Sequence, residues 1–187
     1  MSFPGIPSLD AAVMAFIQTH FHNTVTDMVF PIITSLGEAG IGWIVLSLVL
    51  LCFKKTRRTG GLVLIAMTVT LLFGELTLKN IICRLRPCNV FTDFPMLIAR
   101  PTSYSFPSGH TSSSFAAALI LTLRHKKVGW LAYIPAVLIA FSRIFLFVHY
   151  PTDVLAGILL GTLAALLTYF AAKAIQKRQA EKRTAQI

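Results

Sequence analysis

The sequence predicts an all-α integral membrane protein that forms a single bundle of helices. Hydrophobic residues make up 55% of the 187 residues, and the mean hydropathy of +0.72 is too high for an ordinary soluble domain. The longest uncharged apolar stretch approaches the roughly 20 residues that cross a bilayer, and the shorter ones have to tilt or extend through polar flanks. Such a chain has room for one membrane-embedded domain over residues 1–187. The uncharged stretches are 41–53, 61–74, 111–123, 128–142 and 154–172.

The distribution of positive charge predicts a topology and argues against nucleic acid as a partner. The net charge is +10, yet twelve of the seventeen Lys and Arg residues fall in three clusters, one at every second boundary between apolar stretches. Basic segments of this kind mark the cytoplasmic side of a membrane protein. The clusters are Lys54/Lys55/Arg57/Arg58, Arg124/Lys126/Lys127 and Lys173/Lys177/Arg178/Lys182/Arg183. The other five cations are placed at the outer side: Lys79, Arg84, Arg86, Arg100 and Arg143.

The first 40 residues permit two topologies. Residues 10–21 have the pattern of an amphipathic interfacial helix, and residues 26–36 continue as a helix that contains Pro31. If this region crosses the bilayer once, the protein has six crossings and both termini are cytoplasmic. If it rests on the outer surface, there are five crossings and an interfacial N-terminal helix. We expect six, although the polar residues 20–27 weaken the crossing. Residues 1–10 lack the pattern of a cleavable signal peptide.

From residue 41 onward the apolar stretches alternate in direction and leave one long outer loop between residues 79 and 107. This loop is rich in turn-forming and apolar residues, which suits either a cover over a lipid-entry cleft or plain packing onto the bundle. Cys83 and Cys88 lie within it, and we interpret them as small apolar fillers rather than a disulfide. The basic residues 177–187 are expected to form a flexible cytoplasmic tail.

This path brings three polar segments to the same end of the bundle. They are residues 79–87, 107–110 and 142–153, and together they hold two histidines, a carboxylate and three cations. Ionisable groups at membrane depth are costly, so a set of them in so apolar a chain indicates a functional site. The convergence follows from the charge clusters and the lengths of the apolar stretches.

The second segment has the features of an anion site at a helix start. Pro107 fixes the chain, and Ser108 is a favourable N-cap for the helix that follows. Free backbone N–H groups around Gly109 and His110 then point away from a helix N-terminus, where anions bind readily. Gly109 lets the backbone approach a ligand closely. Taken alone, these four residues also suit a simple capping turn.

The third segment places a histidine next to a carboxylate. His149 ends one helix, Pro151 begins the next, and Asp153 falls in the first turn of that helix, within reach of the imidazole. A carboxylate fixes the tautomer of such a ring and makes its other nitrogen more basic. That nitrogen can attack phosphorus, and His110 is the candidate acid for the leaving group.

The cations complete a site for phosphoryl transfer. Lys79, Arg86 and Arg143 are expected to surround the phosphoryl oxygens, and the Ser108 hydroxyl is a further candidate donor. Glu75, four residues before Lys79, is expected to pair with that lysine. Carboxylates are too few for a magnesium site, so the sequence predicts no metal and no cofactor.

All three segments resemble the type 2 phosphatidic acid phosphatase (PAP2) family. Its pattern is KxxxxxxRP, PSGH and SRxxxxxHxxxD, and each part is complete here, at residues 79–87, 107–110 and 142–153. The resemblance covers roughly residues 41–174 and implies a six-helix membrane bundle with an extracytoplasmic site. It also implies that His149 is the nucleophile, Asp153 its partner and His110 the acid and later the base. The implied phosphate ligands are Lys79, Arg86, Ser108, Gly109 and Arg143.

The predicted function is hydrolysis of a lipid phosphate at the outer face of a plasma membrane. The small size of the chain and the family resemblance imply a bacterial membrane. We favour undecaprenyl pyrophosphate as substrate, because Arg84 and Arg100 are available for a second phosphate, although both also suit structural roles in the loop. Phosphatidylglycerophosphate and phosphatidic acid are alternatives. A lipid transporter or binding protein is the non-enzymatic alternative, and the presence of both His110 and His149 disfavours it. The sequence leaves the oligomeric state open.

Overall fold

The computed structural model describes residues 3–184. These residues form helices joined by turns and irregular segments, as expected for an all-α protein. Helix α1 and helix α2 precede a short 3₁₀ turn, and the following helices build the bundle. The elements are α1 Ser8–His20, α2 Thr24–Leu36, the turn Glu38–Gly40, α3 Ile41–Cys52, α4 Arg57–Thr70, a π-helical stretch Leu71–Leu78, α5 Lys79–Ile82, α6 Pro87–Val90, α7 Gly109–Arg124, a 3₁₀ turn Gly129–Ala132, α8 Tyr133–Phe145 and α9 Pro151–Thr184.

Two helical segments are long and apolar enough to cross a membrane. They are Arg57–Val90 and Pro151–Thr184, each of 34 residues. Helices Thr24–Leu36 and Glu38–Cys52 pass the same test as a pair, with a bend of 46° between them, which gives up to three candidate spans. The described residues also include a shorter apolar helix, Gly129–Phe145. The expectation of a helical membrane protein is confirmed, whereas the number of crossings stays a prediction.

The bend between α2 and α3 has a local cause. Ala39 and Gly40 both adopt positive φ angles, of 47° and 70°, which interrupt the helix. A Cβ atom added to Gly40 would meet the end of the Met67 side chain, so glycine also permits the close approach of α4. The bend brings the polypeptide over the end of the bundle where the three polar segments meet, which we call the site end.

Helices α7 and α9 pack closely at the site end. A Cβ atom on Gly157 of α9 would lie 2.8 Å from the backbone oxygen of Ser108, so only glycine allows this approach. The backbone N–H of Ser108 in turn donates to the carbonyl oxygen of Asp153, at 3.1 Å. The start of α7 and the first turn of α9 are therefore held together directly, and with them the second and third polar segments.

The N-terminal helices contact the site end of the bundle. Gln18 of α1 donates to the carbonyl oxygen of Phe145 at 3.0 Å, and the Thr34 hydroxyl of α2 accepts from Arg143 at 2.6 Å. Asp10, also in α1, bonds to Thr152 at the start of α9. These contacts attach the first 40 residues to the site end, and the choice between six crossings and five stays a prediction.

At the other end of the chain, α9 continues far beyond its apolar part. Residues 177–184 are helical and exposed, in agreement with the high helix propensity of Lys, Gln, Ala and Glu. Their flexibility stays a prediction, and residues 185–187 lie outside the described residues. Cys52, Cys83 and Cys88 are free thiols. Cys88 is buried, as expected of an apolar filler, whereas Cys83 is exposed.

Candidate active site

The three polar segments line one cavity of about 1010 Å³ at the site end. One wall is polar and carries most of the predicted site residues, and the other is formed by apolar side chains of α3 and α4. Ser108 and Asp153 lie behind this wall and are completely buried. The predicted residues that line the cavity are Lys79, Arg86, Gly109, His110, Arg143 and His149.

His149 lies between α8 and α9 and is connected to Asp153 through a serine. The distance from His149 Nδ1 to Asp153 Oδ2 is 3.5 Å, which is long for a hydrogen bond. The Ser105 hydroxyl lies 3.4 Å from the same nitrogen and donates a hydrogen bond to the same carboxylate oxygen. Asp153 therefore lies beside the imidazole as the spacing predicted, and Ser105 lies next to both groups on the Nδ1 side of the ring.

The partners of His149 assign its tautomer. Arg86 Nη1 lies 2.9 Å from Nε2, and a guanidinium only donates, so Nε2 carries the lone pair. The proton is then on Nδ1, on the side of Ser105 and Asp153. Burial, together with the nearby cations Arg86, Arg143 and Lys79, holds the pKa of His149 well below its ordinary value of 6.5. The ring is therefore neutral at ordinary pH, and its unprotonated nitrogen accepts the hydrogen bond from Arg86.

Arg86 is rigidly held beside this nitrogen. Its Nε donates to the carbonyl oxygen of Ser103 at 2.8 Å, and its Nη1 donates to the carbonyl oxygen of Val148 at 2.9 Å. The Ser103 hydroxyl accepts from Nη2 at 3.0 Å. Because backbone and serine oxygens carry no charge, the guanidinium keeps its full positive charge for a ligand in the cavity.

Arg143 is buried with part of its donor capacity unused. One Nη1 bond goes to the Thr34 hydroxyl, while Nε has no hydrogen-bond partner within residues 3–184. Buried donors in folded proteins are almost always paired, so an unpaired one that borders a cavity indicates an acceptor that binds there. A phosphoryl oxygen has the required charge and geometry.

Lys79 begins α5, directly after the π-helical stretch, and lines the cavity. It forms an ion pair of 2.7 Å with Glu75, as the spacing of the two residues predicted. The Glu75 carboxylate also lies against Gly109, because a Cβ atom there would overlap its oxygen. Glycine at this position therefore permits the close approach of the Glu75 carboxylate to the start of α7, and the role of Gly109 as a phosphate ligand stays a prediction. π-Helical distortions are frequent at functional sites, and here one sets the direction of Lys79 and Glu75.

Ser108 has the capping role that the sequence predicted. Its hydroxyl accepts from the backbone N–H of Thr111, at 3.4 Å, and lies 2.9 Å from the Thr111 hydroxyl. Its additional role as a phosphate ligand stays a prediction. His110 follows in the first turn of α7, and its ring faces the cavity near the bend at Gly37, whose Cβ would lie 3.0 Å from the ring.

The two arginines considered for a second phosphate have structural partners. Arg84 forms ion pairs of 2.7 Å with both Asp10 and Asp153, so its charge is already neutralised. Arg100 lines the cavity but donates to the carbonyl oxygens of Cys88, Thr92 and Phe94. Arg84 is therefore not available to bind a second phosphate. Arg100 borders the cavity, but its guanidinium is already bonded to loop carbonyl oxygens.

Sequence reasoning missed Ser105 and Asp10. Ser105 precedes the second segment by only two residues, but nothing in its spacing distinguishes it from other serines of the loop. Asp10 lies far from the motifs in the chain and was interpreted as part of an amphipathic helix. A charged residue in the first turn of an otherwise apolar helix was the one available signal.

Replacing Ser105 by alanine is expected to lower kcat about tenfold, because a hydrogen bond to a charged group contributes about 1.5–3 kcal/mol. Asp153 then keeps its bonds from Arg84 and from the Tyr150 backbone, so the fold is maintained. Phosphate release by the purified variant measures the effect. Ser47→Ala, which alters another completely buried serine away from the cavity, is the control. Equal loss in both variants would contradict a role for Ser105 in the site.

The fold and the site define a class of protein. The model of the PAP2 superfamily matches residues 59–177, which is more than half of the chain and contains all three polar segments. The chain therefore belongs to the PAP2 superfamily, which includes membrane lipid phosphatases.

Individual relatives carry names within this class. An undecaprenyl-diphosphatase of Sulfolobus acidocaldarius is 39% identical over 127 residues, which cover 67% of this chain and 61% of that protein. This chain thus matches less than two thirds of that relative's length. The undecaprenyl-diphosphatase BcrC of Bacillus subtilis is 31% identical, over 79% of this chain and 76% of the relative.

Solved structures confirm the fold. A transmembrane PAP2-type phosphatidylglycerolphosphate phosphatase from Bacillus subtilis superimposes with a TM-score of 0.73 and 29% identity, over 92% of this chain and 89% of that one. LpxE of Aquifex aeolicus gives a TM-score of 0.75 at 24% identity, over 90% and 99% of the two chains, which supports the fold alone.

Proposed function

We propose that this protein is a metal-independent phosphatase that hydrolyses a lipid phosphate or pyrophosphate through a phosphohistidine intermediate. The observation that carries this proposal is the unprotonated Nε2 atom of His149, which accepts from Arg86 and shares a cavity with His110 and three buried cations. Residues 3–184 contain no group of three or more His, Cys, Asp or Glu side chains that could hold a metal. Metal independence itself stays a prediction that the experiment below tests.

In the first step, the Arg86 Nη1 donor moves from His149 Nε2 to a phosphoryl oxygen, and the lone pair of Nε2 that it releases attacks phosphorus. The bond from phosphorus to the leaving oxygen breaks, and a proton from His110 neutralises that oxygen. Burial and the nearby cations lower the pKa of His110 to about 2, so His110 takes up this proton only when the phosphate binds and its negative charge offsets those cations. The imidazole becomes positive, and the Ser105–Asp153 pair on its Nδ1 side stabilises the new charge. Arg86, Arg143 and Lys79 neutralise the phosphoryl oxygens during the transfer.

In the second step, water attacks the phosphohistidine. His110, now neutral, takes a proton from this water as the new P–O bond forms. The P–N bond then breaks, its electron pair returns to His149, and inorganic phosphate leaves the cavity. His110 has regained the proton that it gave in the first step, so the enzyme returns to its initial state.

The other wall of the cavity suits the apolar part of a lipid. Ile44 of α3, Leu64 and Met67 of α4, and Leu71 at the start of the π-helical stretch line it. A lipid whose phosphate lies among the cations can place its first methylene groups against these side chains. This arrangement supports a lipid rather than a soluble ester as substrate.

Undecaprenyl pyrophosphate is the substrate that we propose first. The support comes from two relatives that are named undecaprenyl-diphosphatases. Arg84 no longer supports a second phosphate, because it is paired with Asp10. Phosphatidylglycerophosphate is the alternative, supported by the structural similarity to the Bacillus subtilis phosphatase. Phosphatidic acid remains a further alternative within the same chemistry.

We place the site at the outer face of a plasma membrane. The three basic clusters mark the cytoplasmic side, and the site lies at the opposite end of the bundle. The bilayer itself and the lipid substrate are the partners that follow from this placement.

Phosphate release from a panel of lipids in the presence of EDTA tests the proposal. The panel holds undecaprenyl pyrophosphate, phosphatidylglycerophosphate, phosphatidic acid and a soluble phosphate ester. We expect full activity with EDTA and the highest kcat/KM for the pyrophosphate. Loss of activity with EDTA that added metal restores would contradict metal independence. Absence of release from every lipid, by folded protein, would contradict the enzyme and favour lipid binding or transport.

A further inference from the structure

We propose that Asp10 of the N-terminal helix α1 is a positioning residue for the catalytic carboxylate Asp153, and that it acts through Arg84. Helix α1 is then a part of the active site, although Asp10 lies outside the residues 59–177 that the family model matches. The inference rests on the proposed function, because it assigns the support of a group that the proposed mechanism uses.

Asp10 is completely buried and fully bonded to groups next to Asp153. Its Oδ2 accepts from Arg84 Nη2 and from the Thr152 hydroxyl, both at 2.7 Å. Its Oδ1 accepts from the backbone N–H of Thr152, at 2.9 Å. Thr152 is the second residue of α9, so Asp10 satisfies one of the N–H groups that the helix leaves free at its start.

Arg84 joins the two buried carboxylates. Its Nη1 donates to Asp153 Oδ1 at 2.7 Å, while its Nη2 is held by Asp10. The guanidinium carbon also lies 3.8 Å from the centre of the Tyr150 ring, a favourable position for a cation. These contacts fix the plane of the guanidinium on three sides.

The remaining bonds of Asp153 show why this support affects the chemistry. Its Oδ2 faces His149 and accepts from the Ser105 hydroxyl and from the Tyr150 backbone N–H, the latter at 2.9 Å. Its Oδ1 has Arg84 as partner. The orientation of the carboxylate toward the imidazole therefore depends on where the guanidinium lies.

The charge balance makes the same point. One guanidinium serves two completely buried carboxylates, so the local charge is negative, which suits an imidazole that becomes positive during the reaction. Without the charge of Asp10, the guanidinium would neutralise Asp153 alone. Asp153 would then stabilise the positive ring of His149 less well in the transition state.

The substitution Asp10→Asn tests this inference, because it removes the charge and keeps the size of the side chain. We expect kcat to fall about tenfold, because the substitution removes a charged hydrogen bond to Arg84, while KM changes less than about threefold. Asp27→Asn is the matched control, because Asp27 lies in α2 and pairs with His22 away from the cavity. It is expected to keep the wild-type kcat.

The double variant Asp10→Asn/Arg84→Met separates positioning from general destabilisation. If Asp10 acts through Arg84, the double variant has the kcat of Arg84→Met alone, since residues that act together are not additive. Activities are compared per amount of folded protein from gel filtration. A multiplicative loss, or a loss proportional to the unfolded fraction, would overturn the inference.

Orthovanadate binding, measured by calorimetry, supplies a readout that needs no turnover. Vanadate imitates the five-coordinate phosphorus of the transition state, so its affinity is expected to fall about tenfold in Asp10→Asn, in parallel with kcat. Equal affinity in the wild type and in Asp10→Asn would contradict the inference. Absence of phosphate release by the wild type contradicts the proposed function instead, and the comparison of vanadate affinities still decides the role of Asp10.

Discussion

Substitution of His149 by alanine is expected to abolish phosphate release, with a fall in kcat of roughly 10⁴-fold or more, as for the loss of a nucleophile. The cavity and its three cations remain in the variant. Lipid binding is therefore expected to persist while turnover disappears.

Two measurements on His149→Ala check this expectation. Phosphate release gives kcat, and binding of a fluorescent lipid phosphate to the purified protein gives the affinity. Brief incubation of the wild type with ³²P-labelled substrate, followed by alkaline denaturation, is expected to leave an acid-labile phosphoramidate on the protein that the variant lacks. Label on the variant, or residual activity near the wild-type value, would exclude His149 as nucleophile.

His20→Ala is the matched control. His20 lies at the exposed end of α1, where its Nδ1 bonds to the carbonyl oxygen of Phe16 at 2.9 Å. This substitution changes the same residue type away from the cavity, and it is expected to leave both kcat and lipid affinity unchanged. A comparable loss in His20→Ala would indicate that the assay responds to folding rather than to the nucleophile.

The parts of the site that the sequence predicted are those whose roles are tied to fixed spacings. Asp153 lies four residues after His149 with a proline between them, so both fall at one helix start whatever the rest of the chain does. Glu75 and Lys79 have helical spacing, and their ion pair was expected for the same reason. The basic clusters fixed which helix ends lie together, and this brought the three segments to one cavity.

The parts that were missed depend on contacts between distant segments. Asp10 and Arg84 are separated by more than 70 residues, and their ion pair exists only because α1 lies across the start of α9. Ser105 enters the site because the loop places its hydroxyl beside both His149 and Asp153. Periodicity and spacing contain no information on such contacts, and the assignment of Arg84 to a second phosphate failed for this reason.

The topology of the first 40 residues was open in the sequence for a related reason. Apolar residues in 24–52 are numerous enough for a span, but the positive φ angles of Ala39 and Gly40 divide this segment with a bend of 46°. An alanine with positive φ has no sequence signature, because alanine otherwise favours helix. The bend became visible only in the structure, and it forms part of the cavity wall.

His110→Gln is expected to slow the first chemical step by an amount that depends on the leaving group. General acid catalysis contributes about 10²–10⁴-fold, and most where the leaving oxygen is most basic. The rate of the first step is expected to fall most with phosphatidic acid, whose leaving group is an alcohol. The rate is expected to fall less with undecaprenyl pyrophosphate, whose leaving group is a phosphate, and least with p-nitrophenyl phosphate.

The second step of the same variant gives an independent signature. Water attack on the phosphohistidine lacks its base in His110→Gln, whereas the first step with p-nitrophenyl phosphate stays fast. Rapid mixing is therefore expected to show a burst of p-nitrophenol about equal to the enzyme concentration, followed by slow turnover. The wild type shows no such burst if its second step is fast. Equal losses for all three leaving groups, together with the absence of a burst, would exclude His110 as acid and base. A group other than His110 would then have to protonate the leaving oxygen and take the proton from water.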